Sequence, residues 1–321
     1  MTPFPPPLTD GAVSGNGFNH VTVLLHETVD MLAAGPGKLI VDCTLGGGGH
    51  TEFLLEQGAT VWGIDRDPDA RRAAALKLAR FGSRFKVLAG NFQDVESILA
   101  QQGVSQVDGL LADLGVSSHQ LDTASRGFSF REDGPLDMRM DTRAAFSARN
   151  LVNEAPEEEI ADILWQFGEE RASRAIARAI VKARSLAPIT TTAQLARVVE
   201  SVLPRKGRQH PGTRTFQALR IAVNGELDAL DALLDSSVRL LGKGGRMAVI
   251  TFHSLEDRRV KQFFDLRSRP EIDRPEWPAP RPNPDYCFRL LSRKPVTAGE
   301  EELSTNPRSR SAKLRGVEKI I

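Results

Sequence analysis

The chain has 321 residues, of which 42 are Lys or Arg and 41 are Asp or Glu, so its formal net charge is +1. It is 40% hydrophobic. None of its apolar runs approaches the about 18 residues that a membrane span needs, and we predict no membrane association. The only cysteines, Cys43 and Cys287, form no CxxC pair. This excludes a disulfide framework and a thiolate zinc site, and it predicts a cytoplasmic location.

Residues 1–19 are rich in proline and glycine and contain few apolar side chains that could anchor them. We predict a disordered N-terminal arm there. From His20 onwards the pattern changes, because Leu25, Val29 and Leu32 recur with helical spacing. The folded part of the chain is therefore predicted to begin near residue 20.

A run of four glycines organises the first half of the chain. Gly46 to Gly49 follow an apolar segment at 39–43 and precede an amphipathic segment at 52–57, a strand, loop and helix pattern in which glycine lets a ligand approach the backbone. Asp65 ends the next apolar run, nineteen residues after Gly46, where dinucleotide-type folds place a carboxylate for the ribose hydroxyls. The spacing departs from GxGxxG and no Gly-Lys-Ser/Thr follows. A phosphate-free ligand such as S-adenosylmethionine therefore fits best.

Strands and helices alternate after this loop, which predicts an α/β fold with a doubly wound parallel sheet. Predicted strands cover 39–43, 60–64, 85–89 and 107–112, and predicted helices cover 68–81 and 94–102. Ligands of such sheets bind at the carboxyl ends of the strands. Those ends here carry Asp42, Asp65, Asn91, Phe92 and Asp113. Phe92 either covers an adenine ring or is a core side chain.

A polar loop and a helical block separate the fourth strand from the fifth. The loop, 114–141, is too long and too polar for an ordinary connection and is predicted to be functional. The helical block spans about 144–223, a helix follows at 226–241, and predicted strands at 246–252 and 312–317 complete the sheet. We predict a catalytic domain made of 20–143 and 225–321, with an inserted all-helical domain at 144–224.

The helical block contains a strongly basic stretch. Residues 171–220 include eleven Lys or Arg and a single acid, Glu200. Four of the cations are three or four residues apart, so a helix presents them on one face: Arg171, Arg174, Arg178 and Lys182. A basic loop adds further residues: Arg205, Lys206, Arg208, His210 and Arg214. Solvated faces usually mix both signs of charge, so this stretch predicts a surface for a polyanion.

Several long motifs together resemble the bacterial ribosomal RNA small subunit methyltransferase H family, also called MraW. They are Asp42-Cys-Thr-Leu-Gly-Gly-Gly-Gly-His50, Gly63-Ile-Asp-Arg-Asp-Pro68, Asp113-Leu-Gly-Val-Ser-Ser118, Arg126-Gly-Phe-Ser-Phe130, Gly134-Pro-Leu-Asp-Met-Arg-Met-Asp141, Arg214-Thr-Phe-Gln-Ala-Leu-Arg220 and Phe252-His-Ser-Leu-Glu-Asp-Arg258. The resemblance covers the chain from about His20 to its end. His119 departs from it, since many relatives carry proline there.

The resemblance implies a class I methyltransferase that uses S-adenosylmethionine to methylate the exocyclic N4 of one cytidine in the decoding region of small-subunit ribosomal RNA. By motif position, the implied cofactor contacts are Gly48, Gly49, His50, Asp65, Phe92, Asp113 and Gln120. We expect the RNA to be recognised within an assembled or nearly assembled subunit, because a broad basic insertion suits an RNA already shaped by proteins.

The exocyclic amine of cytosine is a weak nucleophile for methyl transfer, because its nitrogen lone pair is delocalised into the ring. A hydrogen-bond acceptor placed against the amine N–H would favour a more tetrahedral nitrogen and would take the proton after the methyl group has been transferred. Related enzymes use an Asp/Asn/Ser-Pro-Pro-aromatic motif after the fourth strand, but this slot reads Asp113-Leu-Gly-Val. Asp113 is the predicted acceptor, with Ser117 and His253 as alternatives, although Asp113 could instead serve only the cofactor. No second His or Cys near His50 has ligand spacing, so no metal is predicted.

The sequence is also compatible with other roles and functions. Phe128 and Phe130 either stack on a flipped base or anchor the long loop. A nicotinamide-dependent oxidoreductase shares the strand, glycine and acid pattern but prefers the GxGxxG spacing. A non-catalytic RNA-binding assembly factor that retains the cofactor fold is the third interpretation.

Overall fold

A computed structural model describes residues 22–203 and 210–321. The predicted N-terminal arm at 1–19 and three members of the predicted basic loop, Arg205, Lys206 and Arg208, lie outside the described residues. The strands are β1 Leu39–Asp42, β2 Thr60–Asp65, β3 Phe85–Ala89, β4 Val107–Asp113, β5 Leu241–Thr251, β6 Glu271–Ile272, β7 Arg281–Pro282, β8 Phe288–Leu290 and β9 Lys313–Lys319.

The helices of the described residues alternate with these strands and also fill the space between β4 and β5. They are α1 Leu25–Leu32, α2 Gly49–Glu56, α3 Pro68–Leu78, α4 Val95–Ala100, α5 Ser118–Asp122, α6 Ala148–Glu154, α7 Glu157–Gly168, α8 Ser173–Arg184, α9 Thr192–Val202, α10 Gly212–Asn224, α11 Glu226–Leu240, α12 Ser254–Arg267 and α13 Glu300–Thr305.

The main sheet has the order β3-β2-β1-β4-β5-β9-β8. Strands β1 to β5 pair in parallel, and β9 pairs antiparallel with both β5 and β8. Ile40 and Val41 of β1 and Leu110 and Leu111 of β4 are fully buried, because helices cover both faces of a parallel sheet. The predicted doubly wound α/β fold is confirmed.

The fifth strand is longer than predicted. It begins at Leu241 instead of residue 246, so that Leu241, predicted to end the preceding helix, and residues 242–245 belong to it. Gly244 has a φ of +81°, and the pairing with β4 shifts register between Val107 and Gly109. This irregularity lets the strand continue through a glycine sequence typical of a turn. Strand β8 was not predicted, because three residues are too few to show an alternating pattern.

Helices α6 to α10 form a hydrophobic cluster of their own, separate from the clusters that cover the two faces of the sheet. Phe128, Leu136 and Met138 of the long polar loop belong to this helical cluster. The loop therefore packs against the helices, although it lies before the predicted boundary at residue 144. The division into two domains stays a prediction.

Candidate active site

A cleft of about 1070 Å³ opens at the carboxyl ends of the parallel strands. It lies where β1 and β4 are neighbours and the chain connections leave in opposite directions, which is where doubly wound sheets bind ligands. All the predicted cofactor contacts and proton acceptors except Gly48 and His253 line it. They are Gly49, His50, Asp65, Phe92, Asp113, Ser117 and Gln120.

Asp65 holds the glycine loop in place. Its Oδ2 accepts the backbone N–H of Gly46 at 2.8 Å, and its Oδ1 accepts the backbone N–H of Asp67 at 2.8 Å. Burial raises the pKa of Asp65, and these two hydrogen bonds oppose that rise. Each carboxylate oxygen keeps a second lone pair, so Asp65 can still accept hydrogen bonds from the hydroxyls of a ligand.

Gly48 and Gly49 have different surroundings. Gly48 has a φ of +74°, and a Cβ at this position would lie 2.8 Å from Cδ1 of Leu78 in α3. The absence of a side chain thus allows the loop to pack against α3 from behind, away from the cleft. At Gly49 a Cβ would collide with the hydroxyl of Thr22, which also lines the cleft.

Asp42 lies at the end of β1 and, through Thr44, connects the glycine loop to the end of β4. Its Oδ1 accepts the N–H of Thr44 at 3.1 Å, and its Oδ2 accepts the hydroxyl of Thr51 at 2.7 Å. Burial raises the pKa of Asp42 to about 6. The hydroxyl oxygen of Thr44 in turn accepts the backbone N–H of Asp113 at 2.6 Å. The loop and the end of β4 are therefore held in one hydrogen-bonded unit.

One carboxylate oxygen of Asp113 accepts no hydrogen bond from any described residue. Its Oδ1 is buried and has no hydrogen-bond partner among the residues that the structure describes. Its Oδ2 lies 3.7 Å from Nδ1 of His50, and Nε2 of His50 donates to the carbonyl oxygen of Val23 at 3.0 Å. Burial and the charges of Asp42 and Glu256 raise the pKa of Asp113 well above its usual value. Buried polar atoms are normally paired, so this oxygen is available to a ligand.

Ser117 and Gln120 form the capping box of α5. The Oγ of Ser117 accepts the N–H of Gln120 at 3.2 Å, and Oε1 of Gln120 accepts the N–H of Ser117 at 3.1 Å. Nε2 of Gln120 also donates to Oδ2 of Asp67 at 3.0 Å, and the same oxygen accepts Nη1 of Arg126 at 2.8 Å. Both residues line the cleft, but their polar groups are largely used to hold the loop.

His253 does not line the cleft. It is the N-cap residue of α12, and its Nδ1 accepts the N–H of Glu256 at 3.5 Å. Its Nε2 lies 3.1 Å from Oε1 of Glu256, without the geometry of a hydrogen bond. The position of His253 is therefore that of a capping residue, and the nearby side chain that lines the cleft is Glu256.

The three aromatic candidates are placed differently. Phe92 is half-buried, lines the cleft and packs against the core of the sheet, so its two predicted roles are compatible. Phe128 is buried in the helical cluster. The ring of Phe130 lies 4.3 Å from that of His210 and 4.8 Å from that of Phe216, measured between centroids. Phe128 and Phe130 thus anchor the long loop on the helices.

Neither a metal cluster nor a membrane helix is found within residues 22–203 and 210–321. No group of three or more His, Cys, Asp or Glu is arranged to hold a metal ion. No helix there is both long enough and apolar enough to cross a bilayer. Cys43 and Cys287 are both buried free thiols.

Comparison with known families identifies the chain. The MraW methylase family matches residues 17–320. The chain belongs to the MraW methylase family. Two curated relatives, both named ribosomal RNA small subunit methyltransferase H, come from Trichlorobacter lovleyi and Rhodospirillum centenum. The first is 50% identical over 309 residues, which cover 94% of this chain and 99% of the relative. The second is 52% identical over 314 residues, which cover 97% of this chain and 95% of the relative.

A solved structure of an rRNA methylase from Streptococcus thermophilus is also similar. It is 12% identical, with a TM-score of 0.41, and the match covers 94% of this chain and 99% of that chain. Membership of the MraW family rests on the sequence matches alone.

The sequence did not single out three charged residues that line the cleft of this MraW member: Arg220, Glu226 and Glu256. Arg220 donates from Nε and Nη2 to the two carboxylate oxygens of Glu226, each at 2.8 Å. Arg220 and Glu256 occur inside motifs that carry the family resemblance, which is the only sequence signal that pointed to them. Their convergence depends on how α10, α11 and α12 pack above the sheet.

Proposed function

We propose that this chain transfers a methyl group from S-adenosylmethionine to the exocyclic N4 of a cytidine in the decoding region of small-subunit ribosomal RNA, within an assembled or nearly assembled subunit. The observation that carries this proposal is the buried, unpartnered Oδ1 of Asp113 in the cleft, because an exocyclic amine offers the N–H that such an acceptor needs. The relatives' name supports the RNA, and the motif resemblance supports N4. Such a substrate would place the activity in the cytoplasm.

The residues of the cleft fit S-adenosylmethionine, which supplies an electrophilic methyl group on a sulfonium centre. Asp65 can accept the ribose hydroxyls, and Phe92 can contact the adenine. The carboxyl groups of Asp42, Asp65 and Asp113 end neighbouring strands. Burial raises the pKa of all three, and a cationic ligand favours their ionised forms, whereas a pyrophosphate would oppose ionisation further, which argues against a nicotinamide cofactor.

Asp113 is proposed to act on the nucleophile. Its free Oδ1 accepts an N–H of the cytosine amine, which holds the nitrogen lone pair out of conjugation with the ring, and then takes the proton that the nitrogen loses. Ser117 and His253 are weaker candidates, since the Ser117 hydroxyl accepts from the backbone of α5 and His253 lies outside the cleft.

Replacing Asp65 with Ala is expected to weaken the binding of S-adenosylmethionine by about 1.5–3 kcal/mol, because a charge-assisted hydrogen bond to the ribose is lost. Isothermal titration calorimetry measures this change directly. Asp65 also accepts the N–H of Gly46, so its replacement removes this hydrogen bond as well. The variant Asp94→Ala removes an exposed carboxylate outside the cleft and serves as the control. An unchanged affinity in Asp65→Ala would contradict the ribose contact.

The RNA surface is proposed to include α8 and a neighbouring groove. Arg174, Arg178 and Lys182 are exposed on α8, as is Arg171 just before it. The groove is lined by Trp165, Gln166, Glu169, Arg171, Arg214, Leu255 and Arg258. Trp165 is 58% exposed, so its ring is available for stacking on an unpaired base next to guanidinium groups. Arg131 and Arg310 add positive charge at the rim of the cleft itself.

Replacing Arg171, Arg174 and Arg178 together with Ala is expected to lower RNA affinity and to reduce the slope of log affinity against log salt by about 2–3, since each lost phosphate contact removes about 0.7–0.9. Filter binding across a salt series gives the slope. A matched variant, Arg72→Ala/Lys77→Ala/Arg80→Ala, removes three exposed cations near α3. Equal slopes in the two variants would show that α8 does not contact the RNA.

The proposed function is tested by transfer of a labelled methyl group from S-adenosylmethionine to small subunits from a strain lacking this gene, followed by nucleoside mass spectrometry. Label in N4-methylcytidine is the expected result. Label in another nucleoside would overturn the choice of N4. Cofactor binding without any transfer would instead favour the assembly-factor interpretation.

A further inference from the structure

Arg220 and Glu226 line the cleft and form an ion pair that the methyl transfer by itself does not require. Arg220, near the end of α10, donates to both carboxylate oxygens of Glu226 at the start of α11, each at 2.8 Å. The side chain of Arg220 is 15% exposed and that of Glu226 is 7% exposed. A bidentate pair of this kind fixes the plane of the guanidinium group. Nη1 of Arg220 makes no hydrogen bond to any residue in the described part of the chain.

Arg220, Asp113 and Glu256 line the same cleft. Glu256 lies within electrostatic range of both Arg220 and Asp113. Glu256 itself is engaged, because its Oε2 accepts the N–H of Phe252 at 2.8 Å and that of His253 at 3.3 Å. Asp113 therefore offers an unused acceptor, and Arg220 offers unused donors, on the wall of one cavity.

This arrangement matches one edge of one base. Cytosine presents a donor at N4 beside acceptors at N3 and O2, whereas uracil presents an acceptor at O4 beside a donor at N3. Resting on the function proposed above, we propose that Arg220, oriented by Glu226, donates to N3 and O2 of the target cytosine while Asp113 accepts from N4, so that Arg220 determines base specificity. Uracil in this position would set O4 against the carboxyl group of Asp113 and its N3–H against the guanidinium group.

The test combines a protein change with a base change. The variant Arg220→Met/Glu226→Gln removes the guanidinium group and neutralises its partner, which avoids leaving a buried carboxylate unpaired. The substrates are small subunits reconstituted with ribosomal RNA that carries either cytidine or 3-deazacytidine, which lacks the N3 acceptor, at the target position. Single-turnover rates and kcat/KM are measured for each combination, and S-adenosylmethionine affinity is measured by calorimetry.

We expect 3-deazacytidine to lower kcat/KM of the wild type about 10- to 100-fold, which is the range for a lost hydrogen bond to a charged group. We expect a similar loss for the double variant on cytidine, with little further loss on 3-deazacytidine and with cofactor affinity unchanged. If 3-deazacytidine lowers kcat/KM of the wild type and of the double variant by the same factor, Arg220 does not contact N3. A loss of cofactor affinity with unchanged discrimination would place Arg220 at the cofactor and also overturn the proposal.

Further variants distinguish a loss of base specificity from a loss of folding or of methyl transfer itself. Arg315→Met removes another largely buried arginine, which donates to Asp257 at 2.7 Å outside the cleft, and it is expected to leave the 3-deazacytidine effect intact. If the double variant does not fold, Arg220→Lys keeps the charge and is expected to show a reduced 3-deazacytidine effect, while a full effect would contradict the proposal. A wild-type protein that forms no N4-methylcytidine would refute the proposed function itself, which is a different result from equal base effects.

Discussion

Asp113→Asn is expected to lower kcat by about 10²- to 10⁴-fold, the usual contribution of a positioned proton acceptor, while S-adenosylmethionine affinity changes little. The Asn side chain keeps the size of Asp and can still accept an N–H, but it cannot take the proton. Because burial and neighbouring carboxylates raise the pKa of Asp113, the wild-type rate should increase with pH as this group ionises. That increase should be absent in Asp113→Asn. Single-turnover methylation measured across a pH series gives both results.

The alternative acceptors provide matched controls for Asp113. Ser117→Ala removes the cap of α5, and His253→Ala removes the cap of α12, so each should lower stability by about 0.5–2 kcal/mol and leave the pH dependence of the rate intact. If Ser117→Ala or His253→Ala abolishes the pH-dependent increase and Asp113→Asn does not, the acceptor is misassigned. If Asp113→Asn weakens cofactor binding and leaves kcat unchanged, Asp113 serves only the cofactor.

Arg126→Ala is expected to lower the free energy of unfolding by about 3–5 kcal/mol, because it leaves the buried carboxylate of Asp67 without its ion-pair partner. Nη1 of Arg126 lies 2.8 Å from Oδ2 of Asp67, and its Nη2 donates to the carbonyl oxygens of Arg139 and Met140. The residue thus connects the start of α3 with both ends of the loop segment at 126–140. Urea unfolding measures the loss, and hydrogen exchange of residues 124–141 should show local opening.

The pH dependence of this effect has a defined sign. Burial raises the pKa of Asp67, but hydrogen bonds from Gln120 and Arg126 outweigh it, so the pKa lies below its usual value. The stabilisation is therefore present above the unfolded pKa of about 3.9 and is lost as the pH falls through the folded pKa. The difference between wild type and Arg126→Ala should shrink in acid. The control Arg143→Ala, whose exposed pair with Asp141 lies at the end of the same loop, should change stability little. Equal losses in the two variants would contradict a special role for Arg126.

The sequence by itself determined the first four strands of the sheet and the position of the glycine loop. Apolar runs and helical spacing are local properties of the chain, so β3 was predicted at its observed bounds and β1, β2 and β4 to within one residue. The glycine run and Asp65 were also found from spacing alone, since their relation follows from one strand, loop and helix unit. The structure places Asp65 in contact with the N–H of Gly46, nineteen residues away.

Only the tertiary structure decided which polar groups are already used. Ser117 and His253 have the chemistry of proton acceptors, yet both cap helices and His253 lies outside the cleft, whereas Asp113 lines the cleft and its Oδ1 is left without a described partner. The ion pair of Arg126 with Asp67, 59 residues apart, and the charge interaction of Arg220 with Glu256 likewise arise from packing between distant segments. Hydrogen bonding and burial depend on which chain-distant groups converge at one place, and periodicity contains no information about that convergence.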